Sequence, residues 1–130
     1  MNLVDSSGWL EYFSNGSRAG RFESLLKDTA ALLVATVCIY EVFKVILRER
    51  GPNDALQAVA AMRRGTVADF TEALALTAAR ISLDHGIAMA DGIILATARA
   101  HGATLWTLDA DFKNIPDVKY IPAGKPARRQ

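Results

Sequence analysis

A chain of 130 residues, 51% hydrophobic and 22% charged, has enough apolar material for one domain with its own core, which excludes a disordered or fibrous protein. Its 15 basic and 14 acidic residues leave a net charge of +1, so any nucleic-acid or metal site must come from local segregation of charge. The single cysteine, Cys38, excludes an intramolecular disulfide; inside the apolar run Leu32 to Tyr40 it reads as a buried thiol of a reducing compartment.

The first residues carry an acid at Asp5 and no basic, long apolar leader. The longest apolar stretch ends at Glu41 and is too short to span a bilayer, so a soluble, cytoplasmic protein without a membrane segment is expected. Asn2 to Val4 and Leu32 to Ala35 are short apolar runs, each followed by helical spacing, as parallel strands with crossover helices begin. After the second run, Ile39, Val42, Phe43, Ile46 and Leu47 predict the buried face of a helix that Gly51-Pro52 ends. Asp54 to Arg64 predicts another helix closed by Gly65, and Thr66 to Ala68 a brief strand. Asp69-x-x-Glu72 has the form of a capping box before a helix from about Thr71 to Asp84. Asp91 opens a helix stopped by Gly102, Ala103 to Thr107 predicts a strand leading to Asp109, and Val118 to Ile121 a last edge strand.

Strands alternating with helices, without a hairpin signal, imply an α/β sandwich around a central parallel sheet of four or five strands. No internal repeat or linker divides the chain, so residues 1–122 are expected to form one domain and the tail 123–130 to fray.

In open α/β sheets the ligand crevice lies beyond the carboxyl ends of the strands. Asp5 and Asp109 follow two predicted strands, Glu41 lies early in the helix after the second, and Asp91 opens the helix before the strand that leads to Asp109. Four carboxylates brought together repel one another unless a cation neutralises them. Oxygen ligands suit hard ions such as Mg²⁺ or Mn²⁺, which activate water and screen a phosphodiester. Each acid also has a plainer reading. Asp91 has the place of a helix N-cap, Glu41 shares a helical face with Lys44 and Arg48 as an ion-paired surface residue would, and Asp5 and Asp109 fit ordinary loops.

Four segments carry a resemblance: Leu3-Val4-Asp5-Ser6-Ser7, Thr36-x-x-x-Tyr40-Glu41-Val42, Ala90-Asp91-Gly92-Ile93-Ile94-Leu95-Ala96-Thr97-Ala98, and Thr107-Leu108-Asp109-Ala110-Asp111-Phe112. In order and spacing they resemble the motifs of PIN domains, in particular the VapC-type toxin ribonucleases of VapBC pairs, over about Asn2 to Ile121. The resemblance implies a three-layer sandwich with strand order 3-2-1-4-5. It also implies an acidic metal site of Asp5, Glu41, Asp91 and Asp109, with Ser6 and Thr107 offering hydroxyls to water or phosphate and Asp111 as an accessory acid. RNA as substrate, a homodimer and an antitoxin entering the cleft are implied in the same way. Gly92, where relatives more often carry alanine or another small residue, is a slight departure that should loosen the helix start without removing the acid.

Other residues have a second reading each. Lys44 and Arg99, near motif acids in sequence, are candidate RNA-backbone contacts. Trp9, Tyr12, Phe13, Phe22, Leu25 and Leu26 exceed what a thin crossover layer needs and read either as core or as a groove for a partner helix. His85 and His101 precede glycines at helix ends and read as end residues rather than a general base. Two alternatives to a toxin ribonuclease remain open: a non-catalytic PIN-like module binding RNA or protein, and a PIN nuclease of RNA processing. A phosphatase of another α/β fold is disfavoured by Ser7, where its second aspartate would stand.

Overall fold

In the computed structural model, which describes residues 1–122, strands and helices alternate as the apolar pattern requires. The tail expected to fray, 123–130, lies outside the described residues. In chain order the elements are β1 (Asn2–Val4), α1 (Ser6–Phe13), α2 (Ala19–Lys27), β2 (Leu32–Ala35), α3 (Thr36–Arg50), α4 (Pro52–Met62), β3 (Thr66–Ala68), α5 (Glu72–His85), α6 (Met89–Ala100), β4 (Thr104–Thr107) and β5 (Val118–Tyr120). Short 3₁₀ turns cover Thr29–Ala31 and Ala110–Phe112.

The strands form one sheet of order β3-β2-β1-β4-β5, parallel throughout, with Leu3 paired to Leu33 on one side and to Leu105 on the other. Successive strand residues face opposite sides of a sheet. All four residues of β2 are nonetheless buried, so both faces are covered and the layers number three. Order and layering agree with the expected sandwich. No single described helix is long and apolar enough to cross a membrane.

Four local expectations change. The buried face of α3 is Cys38, Val42 and Ile46, while Ile39 and Phe43 are only partly covered and Leu47 is 41% exposed. The helix starts directly from Ala35, so the strand exit fixes its phase, and the Cys38 side turns to the sheet. The capping box at Asp69 and Glu72 is absent; Thr71 caps α5, its hydroxyl accepting from the Leu74 amide at 3.2 Å. Thr71 is the last extended residue before the helix, which leaves Asp69 outside it. α6 begins at Met89 behind Ala88, two residues before the expected start, and that removes the N-cap reading of Asp91. α4 likewise begins earlier, with Pro52 in its first turn, where a missing amide hydrogen leaves nothing unsatisfied.

Gly92 closes the helix pair α5–α6. A methyl group there would overlap Ser82 Oγ and lie 2.9 Å from the Ala78 carbonyl oxygen, so the two backbones approach more closely than alanine allows. The glycine thus has a packing role, which sequence did not reveal. Trp9, Phe22 and Leu26 enter the core, and Tyr12, Phe13 and Leu25 pack against it. Cys38 is buried as expected, and burial pushes its thiol pKa up.

Candidate metal centre

Asp5 leaves β1 in extended conformation and becomes the N-cap of α1. It is 3% exposed, and both its oxygens are engaged. Oδ1 accepts from Ser7 Oγ at 2.6 Å and from the Gly8 amide at 3.2 Å, and Oδ2 accepts from Thr107 Oγ1 at 2.6 Å. Ser7 Oγ in turn accepts from the Leu108 amide at 3.0 Å, and Thr107 Oγ1 from the Asp109 amide at 2.9 Å. Two hydroxyls therefore join the end of β1 to the loop after β4, the same loop that carries Asp109.

Asp109 caps the 3₁₀ turn Ala110–Phe112 by accepting from the Asp111 amide at 2.9 Å. Asp91 occupies the first turn of α6. One carboxylate oxygen from each of Asp91, Asp109 and Asp111 lies within 4.8 Å of the other two. Glu41, in the second turn of α3, accepts from Ser6 Oγ at 2.5 Å. Lys44 instead places its ammonium 5.0 Å from the Tyr40 ring centroid, so the expected surface pairing of Glu41 with Lys44 is not formed.

Electrostatics record the same convergence. Burial is the main cause that raises the Asp91 pKa from 3.8 to about 7, and the like charges of Asp109, Asp111, Asp5 and Glu41 add to it. Asp5 rises from 3.8 to about 6 through burial, against the hydrogen bonds from Ser7, Thr107 and Gly8, with a further upward push from Asp109. Asp91, Asp109 and Asp111 thus form the close group, and Asp5 and Glu41 lie outside it, near enough to add to the rise of the Asp91 pKa. The donor set is carboxylate oxygen without histidine or thiolate, which fits a hard divalent ion rather than zinc.

Several sequence candidates find other roles. Thr107 and Ser6 donate to Asp5 and Glu41, so they hold the acids in place. Ser7, which sequence did not single out as a site residue, does the same for Asp5 from two residues further on; the only signal was the Asp5-x-Ser7 spacing at a helix start. Asp111, treated as accessory, places an oxygen within 4.8 Å of those of both Asp91 and Asp109. Arg99 lies eight residues beyond Asp91, about 12 Å along the helix. There it makes two hydrogen bonds to Asp117, at 2.9 and 3.0 Å, which separates it from the acids. His85 ends α5 before Gly86 in left-handed conformation, and His101 caps the end of α6, as expected.

The family profile of the PIN domain matches residues 3–118, a span that includes every acid of this centre. The chain belongs to the PIN domain family. Its fold is that of VapC-type toxins. A toxin–antitoxin complex from Klebsiella pneumoniae superposes with a TM-score of 0.77 at 21% identity, covering 91% of this chain and 95% of that one. VapC20 of Mycobacterium tuberculosis, described as a sarcin–ricin loop cleaving toxin, gives 0.77 at 22% identity over 94% and 100%. DNA-bound VapBC of Salmonella typhimurium gives 0.70 at 16% over 94% and 98%. At these identities the likeness establishes fold. Among curated proteins, no sequence match was found.

Proposed function

We propose that this chain is a metal-dependent endoribonuclease, the toxin of a VapBC-type pair, with its nuclease domain over residues 1–122. The observation that carries this reading is geometric: one carboxylate oxygen each of Asp91, Asp109 and Asp111 lies within 4.8 Å of the other two, where the start of α6 meets the turn after β4. Such a cluster is unfavourable to packing and favourable to a cation.

Asp91, Asp109 and Asp111, whose oxygens lie close together, would hold Mg²⁺ or Mn²⁺, with Asp5 and Glu41 completing the site. When bound, the ion supplies Lewis acidity, screening the phosphate and activating water for in-line attack. The remaining work is done by the chain. Ser7 and Thr107 fix both oxygens of Asp5, so the carboxylate needs no reorganisation when the cation and phosphate arrive. Ser6 holds one oxygen of Glu41, which sets that carboxylate to face the cation or to take a proton from the attacking water.

Two surfaces support the expected partners. A cleft of about 400 Å³ between α1 and α3 is lined by apolar Leu10, Phe13, Val45 and Ile46 together with charged Glu11, Arg18, Glu49 and Arg50, and it reaches Ser7, which holds Asp5. It suits an antitoxin segment that ends in the centre. An apolar groove of about 550 Å³ along α5 and α6, with Leu83 84% and Met89 77% exposed at its sides, suits a homodimer; sedimentation as a monomer at micromolar concentration would oppose that part. A cytoplasmic location belongs to the same reading. For the reaction itself, Asp91→Asn should abolish RNA cleavage in Mg²⁺ while circular dichroism stays that of the parent. Equal cleavage in chelator and in Mg²⁺ would refute the metal-dependent reading.

A further inference from the structure

Around α3 successive residues are about 100° apart, which sets Tyr40 between two different neighbourhoods. On one side is Glu41, held by Ser6 in the acid centre. On the other is Ile39, which with Val59, Arg63, Val67 and Asp69 lines a recess of about 440 Å³ between α3, α4 and the edge strand β3. Tyr40 itself is 62% exposed, a large aromatic ring left open to solvent one residue before Glu41. Its one charged companion is Lys44, whose ammonium sits 5.0 Å from the ring centroid and forms no ion pair among the described residues.

We infer that Tyr40 and Lys44 form the platform for single-stranded RNA, the ring stacking the base next to the scissile phosphate and the ammonium meeting the backbone, with the strand continuing into the recess beyond. This rests on the nuclease reading. Nucleobases stack on exposed aromatic faces whatever their sequence. A phosphate held at the acids brings its flanking base within one nucleotide of Glu41, the residue next to Tyr40. The unpaired cation above the ring then sits where the neighbouring phosphate passes, and Arg63 and Asp69 offer a donor and an acceptor to a base edge in the recess. A double helix, whose bases are already stacked, has no face to offer the ring.

The test reads binding and catalysis separately. Fluorescence anisotropy of a short single-stranded RNA, with Ca²⁺ in place of Mg²⁺ to neutralise the acids without supporting rapid cleavage, should show Tyr40→Ala weakening affinity about tenfold and Tyr40→Phe retaining it. Lys44→Ala should lower the slope of log affinity against log salt by about one. In Mg²⁺, Tyr40→Ala should raise KM more than it lowers kcat, and binding of a blunt RNA duplex should be unchanged. Unchanged single-strand affinity in Tyr40→Ala, or a loss that Tyr40→Phe does not restore, overturns the inference. So does a Tyr40→Ala variant that loses only self-association or antitoxin binding, since the ring would then serve a protein. If the wild-type chain binds RNA through Tyr40 but fails to cleave it in Mg²⁺, the nuclease reading fails while the stacking platform stands.

Discussion

Asp5 is one of the most buried polar residues of the described chain, and its two oxygens are reached by hydroxyls from opposite ends of the sequence. Ser7 Oγ joins this acid to the Leu108 amide, a contact between residues 101 positions apart. Removing it leaves a partly buried amide without its acceptor, so Ser7→Ala should destabilise the fold by about 1–3 kcal/mol in thermal or urea unfolding. It should also raise the Asp5 pKa above its value of about 6, because the Ser7 hydrogen bond lowers it. Metal uptake would then need a higher pH, and Ser7→Thr should preserve it; a variant with unaltered stability and pH response would remove Ser7 from the network. Distance in sequence explains why this residue was missed. Acids reveal themselves one by one, Asp5 and Asp109 after strands and Glu41 and Asp91 in the early turns of helices. A positioning hydroxyl is defined by its partners, and the second partner of Ser7, the Leu108 amide, became known only when β1 and β4 were side by side.

Elements were legible where apolar periodicity set them, and less so where a single backbone residue decided a boundary. Strands Asn2–Val4, Leu32–Ala35 and Thr66–Ala68 coincide with their apolar runs, while β4 and β5 each differ from expectation by one residue at one end. The start of α5 depends on which residue holds the last extended conformation, and the hydroxyl of Thr71 competes there with the more conspicuous Asp69-x-x-Glu72 pattern. Gly92 is the clearest case of tertiary context overriding propensity. By helix propensity alone, alanine at this position gains about 1 kcal/mol. The added methyl must displace Ser82 and crowd the Ala78 backbone oxygen, an overpacking that costs typically about 1–3 kcal/mol. Gly92→Ala is therefore expected to lower stability in chemical denaturation and to shift the first turn of α6, which carries Asp91. A stabilised variant would mean that α5 and α6 separate freely.

At the scale of the molecule, parallel pairing does what no local pattern reveals. With β1 between β2 and β4, the segments after three adjacent strands carry Asp5, Glu41 and Asp109 to one edge, and α6 adds Asp91. The acids and their order were visible in the sequence; their mutual effect on pKa was not, because it depends on closeness and burial. That effect has a sign. Asp5 and Asp91 have folded pKa values near 6 and 7, above the usual 3.8, so the folded state binds more protons than the unfolded one. Their contribution favours folding most below about pH 4 and is lost as pH rises through about 6 and 7. Metal-free protein should therefore melt at lower temperature at neutral than at mildly acidic pH, and Asp91→Asn should flatten that dependence. An unaltered profile in the variant would show that Asp91 does not carry it.

The central claim is that these carboxylates together trap one dication. Calorimetric titration of metal-free protein with Mn²⁺ above pH 7 tests it most directly. Saturable uptake is predicted, with proton release from Asp91 that makes the heat depend on the buffer, and with both lost in the double variant Asp91→Asn, Asp109→Asn. Absence of uptake by the parent chain, or uptake that the double substitution leaves intact, would contradict it.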